Sequence, residues 1–439
     1  MMRIARLLAV TTLTAALGPA PQASATVAPP PVDETRLPPT GSARPPHPTH
    51  QDGDCIAVRP SAGAGQRLDR LSTVWELTRG AGQTVAVIDT GVARHRRLPH
   101  LLPGGDFVAS SDGTTDCDGH GTLVAGIVAA APDPADPGVF SGVAPDVSLL
   151  AIRQSSNKFR YVDAADGGVG DVDTLAAAVR LAADLGATVI NISSVACLSA
   201  DGGLDDRALG AALAYAVDVT NTVVVSAAGN VGGVGQCPHQ NAAGPGDVSV
   251  VASPAWYDDY VLTVASVGAD GAASDFSLAG PWVDVAARGE NVVSLAAGPD
   301  GLVDSSVNGH LLSGTSYAAP LVSGIAALVR ARHPDLTARQ VMTRIEDTAR
   351  HPDGGWNPSV GRGVVDVLAA VGDVVASRPA GAPLSVSSHP VSGHAAPSPA
   401  SASIPVRGIL LCSGLVSGVA VLCVAARRSR QRGDDIAHD

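Results

Sequence analysis

"TVAVIDTGV", residues 84–92, sets the frame for the chain. Thr84 to Ile88 are β-prone residues without polar alternation, the pattern of a strand buried on both faces, and Asp89-Thr90-Gly91 closes it with a turn. Similar runs recur as "VSLLAI" (147–152), "TVINIS" (188–193), "TVVVSAA" (222–228) and "VLTVASV" (261–267). Between them lie helical patterns such as "VDTLAAAVRLAADLG" (172–186) and "DDRALGAALAYAVDV" (205–219). Continuous apolar strands alternating with helices imply an α/β fold, a mostly parallel sheet with helices on both faces.

The flanks differ in composition. Residues 1–25 carry Arg3 and Arg6, an apolar stretch from Leu7 to Leu17 and then Ala23-Ser24-Ala25, the order expected of a secretory signal peptide. A Pro-rich N-terminal extension (26–67) and a Pro/Ser/Ala-rich linker (373–407) lack a periodic apolar face, so both are expected to be extended and uncompacted. They frame one domain, 68–372. Gly408 to Ala426 is 19 residues without a charge, expected as a single C-terminal transmembrane helix. The arginines at 427, 428, 430 and 432 make residues 427–439 a basic cytoplasmic tail. The domain then belongs on the extracytoplasmic side of a cell membrane.

Lys+Arg 29 against Asp+Glu 41 gives a formal charge of -12, with Lys158 the only lysine. No basic stripe is present to neutralise phosphates, so nucleic acid is excluded as a partner. Export places Cys55, Cys117, Cys197 and Cys237 in an oxidising compartment as two disulfides, with three pairings open, while Cys412 and Cys423 fall in the expected membrane span.

Chemistry gathers at one sheet edge. Asp89 in "VIDTGV" and Asn230 in "SAAGN" close strands at their carboxyl ends, where α/β sheets bind ligands. His120 in "DCDGHGTLVAGIVAA" and Ser316 in "SGTSYAAPLVSGIAALV" open helices, which start on that same edge. A serine hydroxyl needs a base in reach and a carboxylate to hold the imidazole tautomer, roles open to Ser316, His120 and Asp89. Acyl transfer also needs donors for an oxyanion, which the Asn230 amide and the Ser316 N–H at a helix start supply. Singly, each has a plainer reading: Asp89 and Asn230 as turn residues, Ser316 as a helix cap, and His120 with Asp116, Cys117 and Asp118 as a metal site. "DTG" also matches an aspartic-protease motif, yet no second such triplet exists to share the proton. Four motifs at one edge in mutually supporting roles favour the nucleophilic set.

"VIDTGV", "DGHGTLVAG", "SAAGN" and "SGTSYAAP" resemble the Asp, His, oxyanion Asn and Ser blocks of the subtilisin-like serine proteases, in the same chain order. The resemblance covers roughly residues 68 to 372. It implies Asp89 as orienting acid, His120 as general base and acid, Ser316 as nucleophile and Asn230 as oxyanion donor; neither a cofactor nor a metal is expected. It further implies that Ser193, Ser194 and Val195 form the strand edge that pairs with an extended peptide substrate, and that Ala227, Ala228 and Gly229 wall the P1 pocket. "NISSVAC" departs from the usual glycine-rich pattern there, so specificity does not transfer. The whole layout is similar to the mycosins, proteases of actinobacterial type VII secretion systems. That implies an endopeptidase of exported proteins attached to the secretion membrane complex, with an extension that wraps the domain. It also implies the pairs Cys55 with Cys117 and Cys197 with Cys237. A second role, as a structural component with little or no proteolysis, is disfavoured by the intact set of four. The acidic "DAADGGVGDVDT" (163–174) matches no defined calcium loop and is expected to overhang the cleft as a solvated insertion.

Overall fold

Strands form where the apolar runs predict them. The structure, a computed structural model, describes residues 27–56, 71–135, 140–164, 167–233, 236–242, 248–298 and 301–373. The signal segment, most of the linker, the expected transmembrane helix and the tail lie outside these. Among the described residues no helix is long and apolar enough to cross a membrane. A short strand β1 (Thr49–Gln51) and helix α1 (Leu71–Leu77) precede the quoted run, which becomes β2 (Thr84–Asp89). There follow β3 (Leu101–Asp106), α2 (His120–Ala129), β4 (Ser148–Arg153), β5 (Phe159–Tyr161) and α3 (Val172–Asp184). The middle of the chain supplies β6 (Val189–Ile192), β7 (Ala196–Ser199), α4 (Arg207–Ala214), β8 (Val223–Ala227), β9 (Val250–Ser253) and β10 (Leu262–Val267). The last part holds β11 (Val285–Arg288), β12 (Ser294–Leu295), β13 (Leu302–Val303), α5 (Thr315–Arg332), α6 (Ala338–Asp347) and α7 (Val367–Val371).

Seven strands make one sheet in the order β11-β10-β8-β6-β2-β4-β3, with every neighbouring pair parallel. Parallel neighbours need crossover connections, which carry helices onto the faces. Helices α2 and α5 pack on each other and on β2, whereas α3 and α4 pack on each other, with α3 also on β2 and β4. All residues of β6, β8 and β10 are buried, at odd and even positions alike, so both faces are covered. Helix α5 is buried from Thr315 to Val329, all but its last three residues, the behaviour of a helix apolar on all sides.

The strand order positions the site. After β2 the chain runs out to β3, returns as β4 beside β2, then crosses to its other flank as β6. That reversal opens a crevice at the carboxyl ends of β2 and β6, where such sheets receive ligands. Asp89 ends β2, Ser193 follows β6 and Asn230 lies just beyond β8.

Two expectations about flexible segments need correction. The Pro-rich extension, expected from its composition to be uncompacted, is docked over its described residues 27–56, in line with the wrapping that the family resemblance implies. β1 pairs antiparallel with β5, Thr49 Oγ1 donates to the Val108 carbonyl at 2.6 Å, and Ile56 N–H donates to the Cys117 carbonyl at 2.9 Å. The Cys55–Cys117 disulfide closes the clasp. Proline leaves such a segment little backbone freedom to lose, so few contacts suffice to hold it. The acidic segment does not line the cleft with any described residue. Asp171 instead caps α3, accepting from Thr174 N–H at 2.7 Å, and the turn before it, Asn157-Lys158, reaches the cleft.

Candidate active site

Asp89 is fully buried at the end of β2, and its Oδ1 accepts from Thr90 N–H at 2.7 Å. Nδ1 of His120, the first residue of α2, stands 2.7 Å from that same oxygen. Nε2 of the same ring is 3.0 Å from Ser316 Oγ, at the second residue of α5. The three side chains form one line from a buried carboxylate to a hydroxyl. The His120 side chain keeps 29% of its surface exposed, so the ring opens onto the cleft. Tyr317 packs beside it, ring centroids 5.5 Å apart.

Burial alone would disfavour the charged imidazole, but the Asp89 carboxylate, by charge and by hydrogen bond, and behind it Asp116 and Asp118, more than offset this. The His120 pKa is therefore raised above its ordinary 6.5. Asp116 is raised as well, to about 6, chiefly by its own burial and against the hydrogen bonds it accepts.

Those bonds account for the residues that suggested a metal. Asp116 Oδ2 accepts from Thr122 N–H and Oγ1 at 2.8 and 2.6 Å, fixing the first turn of α2. Its Oδ1 takes Gly119 N–H and Thr90 Oγ1, while Thr90 Oγ1 accepts from Gly121 N–H at 2.9 Å. The end of β2 and the start of α2 are thereby sewn together. Gly121 is required there, since a Cβ would sit 2.0 Å from the Gly91 carbonyl oxygen. Asp118 holds the opposite rim, accepting from Ser156 Oγ at 2.5 Å and Asn157 N–H at 2.7 Å. Cys117 is in its disulfide. Among the described residues no three His, Cys, Asp or Glu side chains are grouped to hold a metal ion.

Asn230 is oriented by the chain that carries Ser316. Its Oδ1 accepts from Thr315 N–H at 2.9 Å and Thr315 Oγ1 at 3.0 Å. The backbone donor assigns that atom as oxygen and leaves Nδ2 to face the cleft. A Cβ on Gly314 would lie 3.1 Å from Ser316 Oγ and 3.5 Å from Asn230 Nδ2, so a side chain at 314 would fill the space between them. In the sequence Asp116 stands out only as a possible metal ligand beside His120, and Thr315 does not stand out at all. The "DTG", "DGHG" and "GTS" neighbourhoods hold polar residues, but nothing in them states which backbone donors they serve.

The other expected residues divide. Ser193 and Val195 line a cleft of about 470 Å³ with His120, Asn230 and Ser316, whereas Ser194 does not. Ala227 and Ala228 are 1% and 0% exposed and lie outside that lining. Gly229, at φ +106°, is covered by the Cys197–Cys237 disulfide, whose Cys237 Sγ sits 2.9 Å from where a Cβ would be. That disulfide, Gln236, Ile56 of the extension and Lys158 complete the wall. Cavities of about 600 and 570 Å³ lie elsewhere and are lined by none of Asp89, His120, Asn230 and Ser316, so size does not identify the site. The arrangement is suited to acyl transfer: a hydroxyl, a base, a carboxylate orienting the base, and an amide aimed beside the hydroxyl.

Comparison with known proteins identifies the family. The profile of the Subtilase family (Peptidase S8) matches residues 80–363. The chain is 54% identical to "Mycosin-4" of Mycobacterium tuberculosis (strain H37Rv), covering 100% of this chain and 99% of that protein. It is 42% identical to "Mycosin-3" of the same organism over 92% of this chain and 94% of that one. Among solved structures, the MycP3 protease of the type VII (ESX-3) secretion system superposes with a TM-score of 0.71 at 45% identity, covering 79% of this chain and 100% of that one. A chain of the intact ESX-5 inner membrane complex gives a TM-score of 0.74 at 38% identity, over 92% of this chain and 99% of that one.

Proposed function

Because this chain belongs to the subtilase family, and within it to the mycosins, it is a subtilisin-like serine protease of subtilisin-like α/β fold, and we propose that Asp89, His120, Ser316 and Asn230 carry its reaction. The observation that supports this is the line of 2.7 and 3.0 Å contacts from Asp89 through His120 to Ser316. Ser316 Oγ attacks the scissile carbonyl carbon of a peptide while His120 Nε2 takes its proton. Asp89 keeps the other ring proton on Nδ1 and stabilises the imidazolium. The oxyanion is received by Asn230 Nδ2 and the Ser316 N–H. Collapse breaks the C–N bond, His120 returns the proton to the leaving amine, and water then hydrolyses the acyl-enzyme by the same steps in reverse. This chemistry calls for no cofactor.

The peptide is proposed to lie extended along the main chain of residues 193–195, with the P1 side chain toward residues 227–229 and the disulfide that covers Gly229. By its layout the protein is a single-pass enzyme: a signal peptide at 1–25, an extension at 26–67, the protease domain at 68–372, a linker at 373–407, a transmembrane helix at 408–426 and a basic cytoplasmic tail. The relative found in the ESX-5 inner membrane complex supports attachment to a type VII secretion membrane complex, with exported proteins as substrates. Exposure of the full-length chain to a fluorophosphonate tests the centre. An adduct on Ser316, lost in Ser316→Ala, is expected. A folded parent chain that takes no adduct would sink the reading and leave a structural role in the complex.

A further inference from the structure

The sequence withholds a hydrogen bond from the residue that carries the nucleophile. Within α5 the carbonyl of Ser316 should accept from the N–H four residues on, but that position is Pro320, which has no N–H and whose ring crowds the same carbonyl. Ser316 is 8% exposed, and a buried carbonyl has to find another donor. Ser193 Oγ donates to it at 2.9 Å. Ser193 Oγ itself accepts from Asn191 Nδ2 at 2.9 Å, and Asn191 Oδ1 accepts from Ser323 Oγ at 2.8 Å. Asn191 and Ser323 are 0% exposed and Ser193 7%, so water offers little competition. The chain of bonds leaves α5 at residue 323, passes through the end of β6 and returns to α5 at residue 316.

We propose that Ser193, oriented by Asn191, is a positioning residue that supplies the bond Pro320 withholds and so fixes the Ser316 peptide for attack by its hydroxyl. Its main chain can still border a substrate, but its hydroxyl proton is committed to the enzyme's own backbone. A proline here leaves the Ser316 carbonyl turned toward β6, which couples the first turn of α5 to the strand beside the cleft.

The proposal rests on Ser316 being the nucleophile, and its test separates the two. The second-order rate of fluorophosphonate labelling is measured on the full-length chain and on Ser193→Ala, Pro320→Ala and the double variant, with circular dichroism as the check of fold. Ser193→Ala is expected to label about tenfold more slowly, the scale of a buried acceptor left unpaired. Pro320→Ala should stay within about threefold of the parent, and the double variant within about threefold of Pro320→Ala, because the backbone N–H that alanine brings restores the helix bond. A hydroxyl needed only for packing would cost the same in both backgrounds, and that result overturns the proposal. So does a Ser193→Ala chain that labels at the parental rate, or one that fails to fold in either background. A folded parent chain without an adduct removes the nucleophile itself, and the proposal falls with it.

Discussion

Thr315→Val probes whether the Asn230 amide must be aimed as well as present. Thr315 is fully buried, and its Oγ1 makes two bonds: it donates to Asn230 Oδ1 at 3.0 Å and accepts from Gly229 N–H at 3.2 Å. Valine keeps the branched shape and removes both. Each bond is worth about 1 kcal/mol net, and an orphaned buried N–H adds a further penalty of similar size or more, so stability should fall by about 2–4 kcal/mol. For a domain of this size that lowers Tm by roughly 3–6 °C and leaves the protein folded at 25 °C. The effect on rate is smaller than amide deletion, because Thr315 N–H still holds Asn230 Oδ1 at 2.9 Å. Deleting the amide costs about 10²- to 10³-fold, the size known for the oxyanion asparagine of subtilisin itself, whereas loosening one of its two anchors should cost about tenfold. Fluorophosphonate labelling reads this directly, since the phosphoryl oxygen takes the place of the oxyanion. A folded Thr315→Val chain that labels as fast as the parent, or as slowly as Asn230→Ala, refutes the reasoning.

Asp89→Asn should retain the fold yet label about 10⁴-fold more slowly, because an amide no longer enforces the Nδ1–H tautomer of His120; a loss below about tenfold would contradict that role. Labelling of the parent should rise with pH along a limb centred above 6.5, since His120 must be neutral to accept the proton and its pKa is raised. Asp118→Asn removes one of the charges that raise it, so the limb should move to lower pH; a limb that stays in place or moves to higher pH counts against the electrostatic account. The same shift has a consequence for stability. A raised histidine stabilises fully below about 6.5, and that contribution disappears as pH climbs through the folded value, which thermal melts across this window can follow. Cys55→Ser opens a bridge spanning 62 residues, worth roughly 4 kcal/mol on chain-entropy grounds, and should expose residues 27–56 to limited proteolysis; unchanged cleavage would show that β1 and its contacts hold the extension alone.

The parallel sheet was legible because its strands are buried on both faces and therefore write uninterrupted apolar runs. Thr84 to Ile88 needed no partner to be read, and the alternation with helices made the sheet parallel by connectivity alone. Convergence of Asp89, His120, Asn230 and Ser316 was legible for a related reason: carboxyl ends of strands and amino ends of helices share an edge in any such sheet. Composition failed at the extension. "APPPVDETRLPPTGSARPPHP" has no periodic apolar face, yet Val27, Leu37 and Ala43 pack on the core and β1 finds β5. Proline content reports the absence of regular secondary structure, which is a different property from the absence of docking.

Least legible were the residues that act through a backbone group. Ser193 carries no mark of its role in "NISS", and Pro320 in "SGTSYAAP" looks like an incidental proline in a helix. The connection exists only once β6 and α5 are packed, because a hydrogen bond to a carbonyl depends on which donor the helix fails to provide. A proline four residues after a candidate nucleophile can nonetheless be read as a question. Its missing N–H leaves one acceptor open at a known position, and in a buried helix some side chain from a neighbouring strand has to answer it. The small polar residue at the end of the adjacent strand is the natural place to look, and Ser193 stands there with its hydroxyl 2.9 Å away. Polar residues at the ends of buried strands can therefore be sorted by asking which backbone groups the helices above them have left unpaired.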